Sequence, residues 1–313
     1  MSEPTCVVVN PASANGKTGR RWPELAAHLR RHVGGFDVKF TEQAGHGAEL
    51  TATAIEQGAT HIISVGGDGT HNEVINGFFV DGTPRNPEVM LSVVPTGTGG
   101  DLRRSLGLPV DALEAMAHVG QNATPVDVGH LSCVDARGEA VSSHFINITS
   151  IGIGGLVDKL VNESSKVFGG KASFLLGTLR AGLQYSNQRV RLTLDGGEPI
   201  ERTVLNAVVA NARYFGGGMK VAPNADLSDG LFDVVLIGDM GFFEQMRSMP
   251  KLYRGEHLDL TKIDSMQAAV VQVEAVDPDD VVLIDMDGEQ PGQLPATLRV
   301  IPGAIRLCRA TDG

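Results

Sequence analysis

The stretch Val65-Gly66-Gly67-Asp68-Gly69-Thr70, continued by His71-Asn72-Glu73, decides the fold. It follows an apolar, β-branched run, His61 to Val65, and precedes Thr70 to Phe79, which reads as a helix. A glycine turn between a strand and a helix is the joint of an α/β unit. Three glycines let backbone N–H groups approach an anionic ligand closely, and several are expected at positive φ. Thr70 and Glu73 stand in T-x-x-E spacing, which predicts a capping box for the helix that follows. The start of that helix offers N–H groups and the positive end of its dipole to a phosphate. Asp68 is out of place beside an anion unless a cation bridges the two, as Mg2+ does in phosphoryl transfer. The alternative is a plain structural turn.

On either side the same grammar repeats. Cys6 to Val9 reads as a strand that stops at Asn10-Pro11. Trp22, Leu25, Ala26, Leu29 and Val33 form a helical stripe, Phe36 to Phe40 a strand, Ala48 to Gln57 a helix, and Leu91 to Val94 a strand. A second glycine loop then runs from Pro95-Thr96-Gly97-Thr98-Gly99-Gly100 into Asp101-Leu102-Arg103-Arg104. Alternating strands and helices imply a mostly parallel sheet covered on both faces. Two glycine loops at the carboxyl ends of neighbouring strands form the crevice where open α/β sheets bind ligands. Two familiar motifs are excluded. Gly16-Lys17-Thr18 matches half of a P-loop, but residue 11 is proline where that motif needs glycine. Gly97-Thr98-Gly99 starts a G-x-G-x-x-G pattern that fails at Leu102.

After Asp127 the pattern changes. Phe145 to Ile151, Val190 to Leu194, Val204 to Asn211, Leu231 to Ile237, Met266 to Val276, Val281 to Asp287 and Leu298 to Ile301 read as strands between glycine-rich turns. Helices are expected at Ser173 to Tyr185 and Phe242 to Leu252. The expected division is an α/β domain over residues 1–127 and an antiparallel β-rich domain after it.

Glycine makes up 39 of 313 residues, against roughly 22 at an average usage of about 7%. The excess follows no repeat, which excludes collagen. The net charge of −11 argues against general nucleic-acid binding, which wants a basic face. Cys6, Cys133 and Cys308 are too far apart for a C-x-x-C site, and their odd number suits no disulfide framework. The opening MSEPTCVVVN lacks the basic and apolar regions of a secretory signal, and no run of 18 apolar residues appears. A cytoplasmic protein without a transmembrane helix is expected. One local contrast stands out. Between Glu163 and Asp195 there is no acid, while Lys166, Lys171, Arg180, Arg189 and Arg191 supply five positive charges among apolar residues. That island is either an amphipathic helix packed on the sheet or a surface for anionic lipid headgroups.

Taken in order, these motifs resemble the diacylglycerol kinase catalytic-domain family, which includes bacterial diacylglycerol kinases and sphingosine and ceramide kinases. The matching pieces are Asn10-Pro11 with its polar loop, GGDGT-x-N-E-V-x-N-G at Gly66 to Gly77, and P-x-GTG-x-D at Pro95 to Asp101. Asp127, F-x-N at Phe145 to Asn147, and Y-F-G-G-G at Tyr214 to Gly218 follow. A-P-x-A-x-L-x-D-G at Ala222 to Gly230 and D-G-E at Asp287 to Glu289 complete the series. GGDGT alone is shared with NAD kinases, so a cofactor kinase is one competing class and a non-catalytic lipid-binding relative another. The second loop departs from the family's usual GT-x-ND, since Gly100 stands where asparagine is common.

The resemblance implies an α/β domain with an NAD kinase- or phosphofructokinase-like parallel sheet, followed by a β-sandwich, with the active site in the cleft. It implies that residues near 302–313 return to the first domain. It implies an ATP- and Mg2+-dependent kinase acting on a lipid hydroxyl, diacylglycerol first and a sphingoid base or ceramide second. Glu289 becomes the general base, with Asp68 and Asp287 beside it in the catalytic set. Asn10, Thr41, Gly66, Gly67, Asp68, Gly69, Thr70, Asn72, Glu73, Gly97 and Thr98 become the nucleotide contacts. Asp68, Asp101 and Asp127 surround the catalytic Mg2+, and Asp226, Asp229 and Leu231 form a structural Mg2+ loop that is otherwise a plain turn. The partner is a lipid at the inner membrane surface, met peripherally, with no nucleic acid. A homodimer is compatible with the sequence.

Overall fold

In a computed structural model, residues 4–155 and 185–310 are described. The chain divides into two compact units, Met1–Val128 with Pro302–Gly313, and Gly129–Ile301.

In the first unit, β1 (Thr5–Val9), β3 (His61–Gly66) and β6 (Met90–Pro95) are almost continuously apolar, and nearly every residue in them is buried. Such runs suit the interior of a parallel sheet covered on both faces. With β2 (Asp37–Phe40) they pair in parallel in the order β6-β3-β1-β2. Arg306 and Leu307, near the end of the last strand, pair in parallel with Met90 and Leu91 of β6. Helices α1 (Ser13–Val33), α2 (His46–Glu56) and α3 (Asp68–Asn76) connect the strands. Leu25 and Leu29 of α1 pack on Val7, Val9, Ile63, Val65 and Val94. Each such side chain contributes about 1.5–3 kcal/mol when fully buried. A small hairpin, β4 (Phe79–Val80) with β5 (Thr83–Pro84), and the short helices α4 (Asp101–Ser105) and α5 (Ala112–Ala115) complete this unit.

The strand order positions the loops. From β1 the chain goes to β2 on one side and then to β3 on the other. The loops that leave β1 and β3 therefore part from each other at their carboxyl ends, the switch point where such sheets take ligands. Helix α1 begins earlier than its apolar stripe predicts. Its first turn includes Ala14, Asn15 and Gly16 at φ 53°, 56° and 77°, a left-handed stretch before the regular helix. Left-handed backbone costs an L-residue about 1–2 kcal/mol, so this turn is strained at Ala14 and Asn15.

The second unit is antiparallel. Gly129–Val134 of β7 (Ala123–Val134) pair with β8 (Ala140–Phe145). A sheet runs in the order β13 (Ile263–Ala268), β12 (Phe232–Gly238), β11 (Ile200–Ala210), β10 (Gln188–Leu194), β14 (Val270–Ala275) and β16 (Glu289–Cys308). Strand β9 (Ile148–Gly152) pairs with β11 and with β15 (Leu283–Met286), and β15 pairs with β16. The two-residue alternation of strands sorts the core. Ala207, Val209, Phe232 and Val234 join one cluster, where Phe145 stacks on Phe232 with ring centroids 5.5 Å apart. Val208, Ala210, Val235 and Ile237 join a second cluster on the other face.

Two expected strands are each broken in two. Met266 to Val276 divides at Ala269, where β13 pairs with β12 and β14 pairs with β10 and β16. Asp195 accepts the N–H groups of Ala269 and Val270 at this break, at 3.0 and 2.8 Å. Phe145 to Ile151 divides at Ile146-Asn147. The expected helix at Phe242 to Leu252 is present as Phe242–Arg254. Of the other, Ser173 to Tyr185, all but Tyr185 lies outside the described residues, as do Lys166, Lys171 and Arg180 of the basic island. The island's two remaining cations are both ion-paired, Arg191 with Glu201 and Glu274, and Arg189 with Glu201.

Candidate active site

In the first unit, a predicted residue stands after each of four parallel strands. Asn10 follows β1, Thr41 follows β2, Gly67 and Asp68 follow β3, and Thr96-Gly97-Thr98 follow β6. Asn10 ties two of these loops together. Its Nδ2 donates to Thr70 Oγ1 at 2.9 Å, and its Oδ1 accepts the Ala12 N–H at 3.0 Å. Thr41 is buried, and its N–H donates to the Val9 carbonyl at 2.9 Å. The N–H groups of Thr96 and Gly97 both donate to the Gly66 carbonyl, at 2.7 and 3.1 Å. Thr18 Oγ1, 2% exposed, donates to Thr96 Oγ1 at 2.8 Å.

Positive φ, expected at several glycines of the first loop, is not found there. Gly66, Gly67, Gly69, Gly97 and Gly99 are not among the positive-φ residues. Several of them are needed for close approach. A Cβ on Gly66 would stand 2.5 Å from Thr70 Cβ, and one on Gly97 would stand 2.5 Å from the Cα of Gly67. The second collision is with backbone, which cannot swing aside. Gly97→Ala is therefore expected to separate the two loops, lowering unfolding stability by about 1–3 kcal/mol, as overpacking does. An unfolding midpoint at the wild-type value would show that the loops part without cost. Gly100 is the exception, at φ 73°. Asparagine is one of the few side chains that tolerates this conformation. Glycine in its place keeps the backbone and omits the amide.

The expected capping box is absent, a correction with a clear cause. Helix α3 starts two residues earlier, with Gly67 as N-cap and no side chain capping it. Glu73 instead accepts the N–H groups of Gly45 and Gly47, both at 2.9 Å, at the start of α2. Thr70 is engaged by Asn10. Because no side chain caps α3, its first N–H groups remain for an anion. Asn72 faces inward, with its side chain and carbonyl accepting from Asn76 Nδ2 at 3.0 Å. Behind the loop, His71 is fully buried with Nδ1 2.7 Å from Ser64 Oγ. Burial pushes its imidazole down to about 4, against the opposing pull of Asp68, so it is neutral at physiological pH.

The acids are distributed rather than clustered. Asp68 Oδ2 accepts the N–H of Gly100 at 2.6 Å and of Asp101 at 3.4 Å, bracing the second loop against the first. Asp101 Oδ1 is paired with Arg104 Nη1 at 2.9 Å, and the same nitrogen donates to the Gly99 carbonyl. Asp127 is 2% exposed and accepts the Gly303 N–H at 2.8 Å. Among the described residues no group of three or more His, Cys, Asp or Glu could hold a metal ion.

In the second unit, Asp287 and Gly288, at φ 52° and 88°, form the two-residue turn between β15 and β16, with Met286 paired to Glu289. Positive φ at both central residues is the type I′ turn that suits a twisted hairpin. Asp287 is thoroughly occupied. It accepts the N–H groups of Ile146, Asn147 and Ile148 at 3.0, 3.1 and 2.9 Å. This geometry makes it a positioning residue for the turn. Asp285 accepts the Gly288 N–H at 2.9 Å and holds the turn from its other side. The alternating Asp-Met-Asp-Gly-Glu was the available signal for Asp285. Glu289 is exposed one residue beyond the turn. In the remaining loop, Asp226 Oδ1 accepts from Ser228 N and Oγ at 3.0 and 2.7 Å. Asp229 Oδ1 accepts the Leu231 N–H at 3.0 Å, so both acids cap their own loop.

Known proteins resemble both halves of the chain. Residues 4–131 match the diacylglycerol kinase catalytic domain. Residues 147–309 match the YegS C-terminal NAD kinase beta sandwich-like domain. A diacylglycerol kinase of Mycobacterium tuberculosis is 28% identical over 310 residues, covering 98% of this chain and 95% of that protein. The crystal structure of a diacylglycerol kinase from Bacillus anthracis superposes with a TM-score of 0.72 at 21% identity, covering 99% of this chain and 97% of that one. Yeast NADH kinase shares the fold more distantly, with a TM-score of 0.55 at 11% identity over 100% of this chain and 85% of that one. With both domain types matched in order, the chain belongs to the diacylglycerol kinase catalytic-domain family of lipid kinases.

Proposed function

We propose that this lipid kinase transfers the γ-phosphoryl group of ATP to the primary hydroxyl of diacylglycerol, giving phosphatidic acid, in a Mg2+-dependent reaction at the inner membrane surface. The observation that carries this reading is the uncapped start of α3 between two glycine loops, with Asp68 in its first turn. Phosphoryl transfer depends mostly on positioning and electrostatics, and these parts supply both. N–H groups of the first turn of α3 and the Thr98 N–H of the second loop receive phosphate oxygens. Asn10 and Thr41 hold the neighbouring loops in register.

The donor chemistry suits Mg2+, which takes one or two carboxylates and otherwise water and phosphate oxygens. Asp68 would hold it through Oδ1, because only Oδ2 is used by the second loop. Asp101, once released from Arg104, would be the second acid. The ion, when bound, supplies charge neutralisation on the phosphates. Glu289 takes the proton of the lipid hydroxyl as that oxygen bonds to the γ-phosphorus. The bond from phosphorus to the β–γ bridging oxygen breaks, and ADP leaves with the electron pair.

The test is γ-labelled ATP with purified full-length chain and mixed micelles of diacylglycerol, sphingosine or ceramide, with NAD alongside. Label is expected in phosphatidic acid and lost on chelation of divalent cations. Label entering a sphingoid base in preference would move the acceptor, and label entering NAD with no lipid would overturn the reading.

A further inference from the structure

The helix Phe242–Arg254 has no buried residue along its 13 positions, and its two faces differ in kind. Phe242, Gln245, Met246, Met249 and Leu252 are half-buried, with Leu252 packed on a core cluster of the second unit. The opposite stripe, at the i, i+4, i+7, i+8, i+11 spacing of one helix face, is Phe243, Arg247, Pro250, Lys251 and Arg254. Phe243 is 87% exposed, and Tyr253 flanks the stripe at 49%. The stripe contains no acid. Glu244, the helix's own acid, lies off it and is paired with Lys262 at 2.7 Å. Arg254 is paired with Glu256, whereas Arg247 and Lys251 form no ion pair with a described residue.

We propose that this stripe is a docking face for an anionic lipid bilayer, with Phe243 entering the headgroup boundary and Arg247 and Lys251 meeting lipid phosphates. The proposal rests on the lipid-kinase reading, since such an enzyme must reach a substrate dissolved in a membrane. Among the described residues no helix is long and apolar enough to cross one. A chain of net charge −11 is repelled by an anionic bilayer except where cations are gathered. An aromatic side chain with cations on one helix face is the composition of an interfacial helix. A second copy of the chain fits less well, because a symmetric pairing sets the same cations against each other.

The experiment uses the full chain and phosphatidylcholine vesicles with and without phosphatidylglycerol. The wild-type protein is expected to sediment with the anionic vesicles at low salt and to be released as salt rises. Arg247→Gln with Lys251→Gln should weaken partitioning about thirtyfold, the worth of two cations near a charged surface. Phe243→Ser should weaken it by about tenfold or more, from the apolar area returned to water. Phosphorylation of a short-chain diacylglycerol in neutral micelles should stay at wild-type level in all of these variants, which separates docking from chemistry. Equal vesicle binding by wild type and variants, or none by either, overturns the docking face and leaves the kinase reading standing. So does a wild-type dimer in sedimentation velocity that these substitutions dissociate while vesicle binding is unchanged. If no lipid is phosphorylated while the variants still lose binding, the kinase reading fails and the docking face survives.

Discussion

Glu289→Gln is expected to lower kcat for lipid phosphorylation by about 10²–10⁴, the usual worth of general-base catalysis. The substitution keeps the size of the side chain and removes its ability to take a proton. Folding should be unaffected, because the turn before it is held by other groups. Asp287 fixes that turn through three backbone N–H groups and Asp285 through a fourth. The Michaelis constant for ATP should also stay near its wild-type value, since Glu289 is assigned to the acceptor. Steady-state kinetics with both substrates varied checks both statements. Turnover near the wild-type rate would remove Glu289 from the role of base.

Asp68→Asn is expected to lower kcat/KM for ATP by about 10²–10³, the range seen when one preorganised electrostatic contact is lost at a reacting centre. Asparagine retains a carbonyl oxygen that can accept the Gly100 N–H, now made by Asp68 Oδ2 at 2.6 Å. The brace between the loops therefore survives while the charge is lost. Thermal unfolding should be close to that of the wild type, and the dependence of rate on Mg2+ concentration should shift upward. A variant that unfolds at the normal temperature and turns over at the normal rate would make Asp68 a brace alone.

The legible parts of the fold were those in which the residues themselves suffice. Strands β1, β3 and β6 are short apolar runs ended by glycine, proline or asparagine, and their burial on both faces is written in that composition. The glycine loops were legible as close-approach sites, though the cause is collision with Thr70 and Gly67 rather than positive φ. What stayed hidden depends on partners distant in the chain. Glu73 has the spacing of a local cap, but two N–H groups at the start of α2 compete for its carboxylate and win. The break at Ile146-Asn147 is invisible locally, because the carboxylate that takes those N–H groups belongs to Asp287. Asp68 and Asp101 were grouped by the family resemblance, yet here their charges answer first to backbone N–H groups and to Arg104. Phe242–Arg254 was legible as a helix but its exposed stripe was not, since the half-buried side is set by contacts distant in the chain, such as that of Leu252 with a core cluster of the second unit.

The glycine contacts bear on how this enzyme could be inhibited. At Gly66, Gly97 and Gly99 an added methyl group would stand 2.5 Å from an existing atom. A compound seated against these loops would rest on main-chain surface that point mutation cannot remodel without disturbing the loops themselves. Escape variants selected against such a compound should therefore map outside these three positions, whereas a compound gripping exposed side chains would leave many single changes open to the cell.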